Sequence, residues 1–392
     1  MDKKFLFFFN NPWQAVPFIV VLLIFIGGFN ILSASGDYEL FFRHFAFACI
    51  SSASAYFALR RGYSFWFQLP VLLALVAIVV GGLLLVAMTP DYAMVNGAKR
   101  WIYIGPISVQ PSEFVKLIVI VLGAKYLGPL LDKNQKVSLL DFRNWSLKLW
   151  GTLLIGAAFT MLVYYQPDMG TAAIILGLTI MMYYLAGMKK VEIFLTLFSA
   201  LGLLGFLAVA KSYRMDRFQA WFDPWAVRVG DGFQAVQSFI TIGSGGWLGY
   251  PWGEGVAKLN LPEAHTDFAF AVFCNENGFL GFLFIVALIV ILSIALYRIA
   301  VAAKNGTSFL LVSGISFLLV GQSIANMAMV CGILPVIGVP FPFISYGGSS
   351  MLLSIVAVAL VYAVVREELT QASLPSRRED LHVVGRRWQH EK

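Results

Sequence analysis

The chain has 392 residues, 59% of them hydrophobic and only 12% charged, where a soluble domain carries about 25% charge. A deficit held over the whole length excludes a soluble globular protein. The net charge of +7 does not point to nucleic acid, because most of it is loop charge on one side of a membrane and no nucleic-acid-binding signature occurs.

An apolar run of about 20 residues crosses the bilayer core as a helix, and the runs here lack the period-2 alternation of barrel strands. Ten spans are predicted, over 13–33, 41–59, 65–88, 112–128, 148–165, 171–187, 191–210, 267–297, 308–331 and 343–365. The first is longer than the apolar part of a secretion signal and is followed by more spans, so it reads as a retained helix. The fourth is the weakest, interrupted by Glu113, Lys116 and Lys125. The eighth opens on Asn275-Glu276-Asn277, which suits a tilted segment or one partly outside the lipid. Cys49, Cys274 and Cys331 are too scattered for a disulfide framework or a zinc site.

The expected fold class is an all-α integral membrane protein with about ten transmembrane helices. Residues 1–365 form its membrane domain, with one long extracytoplasmic loop at about 211–266; residues 366–392 form a flexible basic tail. If the spans alternate, Lys3, Lys4, Arg60, Arg61, Lys133, Lys136, Arg143, Lys189, Lys190, Arg298, Lys304 and Arg366 share one side. That side is the cytoplasm, with both termini on it. Lys211, Arg214, Arg217, Arg228 and Lys258 fall in the long outer loop instead, so these cations need another reason.

Four polar clusters gather on the outer side. Residues 96–117 begin with an Asn96-Gly97 turn, continue through Lys99 and Arg100, and open a helix with Pro111 at its first position and Glu113 in its first turn. Glu113 and Lys116, three apart, share a helix face. These residues read either as a surface turn with a dipole-stabilised helix start or as part of a site. Gln166-Pro167-Asp168 ends one span; Asp168 either caps the next helix or reaches the Glu113 and Lys116 face as a paired charge. In the long loop, Arg214 and Arg217 alternate with Tyr213, Phe218, Trp221 and Trp225, a mixture suited to an anionic amphiphile at a membrane surface. Residues 332–350 hold prolines and glycines in an apolar stretch, which is either a rigid loop capped by Ser345 or broken backbone lining a cavity. Finally Asp267, with Glu263 and His265 before it, stands at the mouth of the eighth span. It reads either as a helix cap or as a functional intramembrane acid.

Taken together the clusters resemble the SEDS family of shape, elongation, division and sporulation proteins. The matching pieces are Gly97-Ala98-Lys99-Arg100-Trp101-Ile102, Gln110-Pro111-Ser112-Glu113 with Lys116, and Gln166-Pro167-Asp168 with Gly170-Thr171. Further along come Gly243-Ser244-Gly245-Gly246, Pro262 through Phe268, and Pro340 through Ser350. They occur in the family's order over about residues 12 to 366. Asp223-Pro224-Trp225, Gln237-Ser238 and the run Glu263 to Phe268 look closer to the division and sporulation types than to the elongation type. Two departures stand out: the segment after Gly246 lacks the usual glycine spacing, and Asn275 replaces the first acid of a Gly-Glu-Glu-Leu-Gly run, leaving Glu276.

The resemblance implies a ten-span glycosyltransferase of the bacterial cytoplasmic membrane that polymerises lipid II into peptidoglycan strands. It implies a class B penicillin-binding transpeptidase as partner. It places the essential acid at Asp267, as general base or as ligand of an assisting metal, with Mg²⁺ or Mn²⁺ as candidates and no tightly bound cofactor. Lys99, Arg100, Arg214 and Arg217 are candidates to hold the departing pyrophosphate. Glu113, Lys116 and Asp168 are assigned to an internal ion-pair network, and Glu263, His265 and Ser345 to the lining of the site. A lipid II flippase and a division scaffold acting through its transpeptidase are the alternatives.

Overall fold

In a computed structural model the chain is described over residues 12–88, 99–105, 107–135, 137–141, 147–209, 219–230 and 232–368. Arg214 and Arg217 lie outside the described residues, as do Asn96 to Ala98 and the tail beyond 368.

The predicted apolar runs all form helices, since only intrasegment hydrogen bonds satisfy a backbone surrounded by lipid. They are α1 (Pro12–Ser35), α2 (Tyr38–Arg61), α3 (Leu69–Ala87), α4 (Pro111–Asp132), α5 (Leu147–Tyr165), α6 (Met169–Leu185) and α7 (Lys190–Val209). Then come α8 (Phe233–Ser244), α9 (Ala269–Val301), α10 (Gly306–Val330) and α11 (Gly348–Glu368). Among the described residues seven of these are long and apolar enough to cross a membrane. Local signals set their ends. Asp37 caps α2 by accepting from the Glu39 amide at 2.7 Å, Asp168 caps α6 from Thr171, and Asn305 caps α10 from Ser308. Pro111 sits in the first turn of α4, where its missing N–H costs nothing.

The structure corrects several boundaries. The fourth span, the weakest by sequence, is the central post: α4 is flanked by α3, α5, α6 and α10, and its Glu113 and Lys116 are buried. The tenth begins at Gly348 rather than 343. The long loop before α9 holds the amphipathic α8 and a 3₁₀ turn, Val256–Asn260. A small antiparallel hairpin, β1 (Ile102–Ile104) with β2 (Ile107–Val109), precedes α4.

The eighth span is the largest correction. Gly278 has φ 61 and ψ −161, outside helical space, and splits α9 into two arms. Phe270 packs on Phe282 with ring centres 5.8 Å apart, whereas twelve residues of straight helix rise about 18 Å. The chain therefore bends back at Gly278. Its first arm runs in the same sense as α1, with Asn30 bonded to the Ala269 carbonyl and Ser33 to Glu276. Residues 245–249 thread through the bend; a Cβ on Gly249 would lie 2.1 Å from the Glu276 carbonyl oxygen, so only glycine fits.

The helix ends are tied together at one face. Tyr362 bonds the Trp13 carbonyl, Arg366 the Leu59 carbonyl at 3.2 Å, and the Lys304 amide Glu368 at 3.1 Å. Arg60, Arg61, Arg298 and Lys304 gather there, while the clusters around Asp267 lie at the opposite end of the bundle.

Candidate active site

Asp267 closes a tight turn that starts at Glu263. Glu263 has φ 54, and its carbonyl accepts from the amides of Thr266 and Phe268, both at 3.1 Å. The Thr266 hydroxyl donates to the Glu263 carboxylate at 2.7 Å. The carbonyls of the last three residues of the turn are each held from elsewhere. His265 accepts from the Tyr346 amide at 2.9 Å, Thr266 from the Ser345 hydroxyl at 2.6 Å, and Asp267 from Asn326 Nδ2 at 2.7 Å. Ser345 thus ties the site loop to residues 338–346 while also accepting from the Phe341 amide at 2.8 Å. The His265 ring faces Tyr346, 6.0 Å between centres.

The capping explanation of Asp267 does not hold. The N-cap of α9 is Phe268, and no side-chain bond caps that end. The carboxylate instead turns toward Gly338, where a Cβ would come within 3.2 Å of Oδ2.

Around Asp267 stand two charged groupings. Arg100 pairs with Asp168 at 4.0 Å and bonds the Pro167 carbonyl. Asp168 also accepts from Gln110 at 2.9 Å and from Ser112 at 3.4 Å, so its capping and ion-pair roles coexist. Lys116 donates to Glu113 at 2.7 Å and to Gln322 Oε1 at 2.9 Å; Gln322 in turn donates to the Pro340 carbonyl at 2.9 Å. Asp168 therefore pairs with Arg100, and Lys116 with Glu113, both supporting the floor beneath the site loop. Lys99 is half-buried beside Arg100.

Burial, then the charge of Glu263, pushes the Asp267 carboxyl up to about 7; Arg100 opposes this, while Asp168 and Glu113 add to it. A carboxylate with that pKa accepts a proton near neutral pH, which an ordinary aspartate does poorly. Beside the turn, a cavity of about 330 Å³ is lined by Trp221, Phe233, Phe239, Pro262, Met329 and Leu334.

Sequence reasoning missed Gln322 and Asn326. The signal was present: two amides four apart in an apolar span share a face and are costly in lipid unless used. The π turn Phe317–Gly321 just before them sets the face they occupy, and such turns recur at functional sites. It also missed that Lys258, Glu276 and Ser33 meet, since they are far apart in the chain.

Residues 13–370 match the family model of cell cycle proteins that groups FtsW, RodA and SpoVE. The probable peptidoglycan glycosyltransferase FtsW of Saccharophagus degradans is 35% identical over 364 residues, 88% of this chain and 90% of that protein. Stage V sporulation protein E of Bacillus subtilis is 34% identical over 369 residues, 91% of this chain and 98% of that one. Among solved structures, a chain of a peptidoglycan synthase complex that coordinates polymerization and crosslinking superposes with TM-score 0.74 at 28% identity, covering 91% and 97% of the two chains. The rod shape determining protein RodA of Thermus thermophilus shares the fold, with TM-score 0.65 at 24% identity over 91% and 96%.

Proposed function

The chain belongs to the FtsW, RodA and SpoVE family of cell cycle proteins, and we propose that it is a peptidoglycan glycosyltransferase polymerising lipid II at the outer face of the bacterial cytoplasmic membrane. What supports this most is the placing of Asp267: its loop is anchored through the carbonyls of His265, Thr266 and Asp267, its carboxylate turns toward Gly338, and burial raises that carboxyl's pKa.

Lipid II brings its own leaving group, a polyprenyl pyrophosphate, so the reaction needs no nucleotide. An acceptor sugar hydroxyl attacks the anomeric carbon of the donor. Its oxygen forms the new glycosidic bond, the bond to the pyrophosphate oxygen breaks, and the hydroxyl proton passes to Asp267. The pyrophosphate leaves with the bonding electrons, and cations stabilise that charge. Arg100, Lys99, Arg214 and Arg217 are the candidates for this by sequence, and the pairing of Arg100 with Asp168 keeps one of these cations near the site. An apolar recess of about 500 Å³ between α2, α4 and α11, lined by Phe57, Trp66, Phe114, Leu117 and Leu353, suits a polyprenyl chain.

Among the described residues no three of His, Cys, Asp and Glu are grouped so as to hold a metal ion. The likeness to a chain of a synthase complex supports a transpeptidase partner of the class B penicillin-binding type. The basic helix ends support placing both termini in the cytoplasm. The reading is tested by lipid II polymerisation with the purified full chain, with and without its transpeptidase, against Asp267→Ala.

A further inference from the structure

Lys258 is a cation in an outer loop, yet it is buried. Its Nζ lies 2.6 Å from the Ser33 hydroxyl of α1 and pairs with the Glu276 carboxylate on the first arm of α9. Ser33 donates to the same carboxylate, and the Gly253 amide donates to it at 3.0 Å. Two separate parts of the chain, α1 and the loop 253–258, thus converge on Glu276. Burying a charge pair is costly, and an apolar pair of the same size would pack without that cost. The contact therefore calls for a role other than bulk stability.

That role follows from the bend at Gly278. A continuous helix would hold its first arm through hydrogen bonds four residues apart. Here the Phe279 amide donates to Gly246 at 2.9 Å and the Leu280 amide to Trp247 at 3.2 Å, so the ladder is interrupted. The direction of the arm Ala269–Asn277 is not set by the rest of α9. It is set by clamps at its two ends. Asn30, Asn326 and Ser345 hold the end next to Asp267. Lys258, Ser33 and Gly253 hold the other, through Glu276, nine residues along the chain and about 13 Å of helix away.

We infer that Lys258 is a positioning residue for the glycosyl transfer: by locking Glu276 against Ser33 it fixes the arm of α9 and with it the place of the Asp267 carboxylate. This rests on the reading of Asp267 as the base.

The test uses the full chain in the lipid II polymerisation assay, with Lys258→Met, Glu276→Gln, the swap Lys258→Glu with Glu276→Lys, the milder Ser33→Ala, and Asp267→Ala as reference. Misplacing a reacting group by roughly 1 Å can cost about a hundredfold, so each of the first two variants should lower kcat at least about tenfold. KM should stay within about twofold, because substrate contacts are intact. Amide hydrogen exchange across 263–277 should speed up, the swap should return most of the rate, and Ser33→Ala should fall between wild type and Lys258→Met. Should Lys258→Met fail to fold, the Ser33→Ala and swap results decide. Wild-type kcat in the single variants, with Asp267→Ala inactive, would overturn the positioning role while leaving the base in place. A loss that follows only the folded fraction, without rescue by the swap, would overturn it as merely structural. Full activity in Asp267→Ala would remove the base assignment and this inference with it, even if exchange across the arm still responds.

Discussion

Asn326 Nδ2 donates to the main-chain carbonyl of Asp267 at 2.7 Å and to that of Val339 at 2.6 Å. One buried amide on α10 thus joins the site loop to the segment that faces it.

Asn326→Ala removes both bonds and leaves two carbonyls short of a donor. An unsatisfied buried group costs about 1–3 kcal/mol, so thermal unfolding should register a loss in that range. Polymerisation should fall further than the folded fraction. Unchanged activity per folded molecule would show that Asn326 does not place Asp267.

Gly338 has φ +66, and a Cβ there would stand 3.2 Å from Asp267 Oδ2. Gly338→Ala pays a left-handed backbone penalty of about 1–2 kcal/mol and crowds the carboxylate. The expected outcome is a modest drop in melting temperature with a large drop in kcat. A variant that loses stability alone would place the carboxylate elsewhere.

Glu113 and Lys116 form a buried pair on the central helix. Breaking such a pair from one side costs about 3–5 kcal/mol, because a buried charge is left alone. Lys116→Met and Glu113→Gln should each destabilise the protein, and the double variant should lose less than their sum. Strict additivity in that double-mutant cycle contradicts the pairing.

The pH dependence has a defined sign. With Asp267 at about 7, the rate should fall as pH drops below that value, because the protonated carboxyl cannot accept a proton. Glu263 raises this pKa and Arg100 lowers it. Glu263→Gln should therefore move the acidic limb to lower pH, and Arg100→Met should move it to higher pH. A pH–rate profile that stays put in both variants would mean that another group sets the limb.

Much of this was legible in the sequence. The apolar runs located the helices, the three-residue spacing of Glu113 and Lys116 put them on one face, and Pro111 and Asp168 marked helix starts. The bend at Gly278 was not legible. A glycine after Asn275-Glu276-Asn277 is tolerated inside a helix at a cost of about 1 kcal/mol, and the reversal depends on Trp247 and Gly249 closing around it from thirty residues away. The same holds for Lys258: the sequence shows only that a cation in the long loop needs a reason to be there, and the fold shows that it faces α1. Of the two readings the sequence leaves open for Asp267, the cap fails, because Phe268 is the N-cap of α9 and no side chain caps that end.

Everything in the proposed chemistry turns on Asp267 taking the acceptor proton. That role is tested most directly by measuring glycan-strand synthesis from lipid II by the purified full chain with its transpeptidase, comparing wild type with Asp267→Asn and Asp267→Ala at equal folded protein. Long strands are expected from the wild type and loss of polymer in both variants, with lipid II binding retained. Long strands from either variant would contradict it.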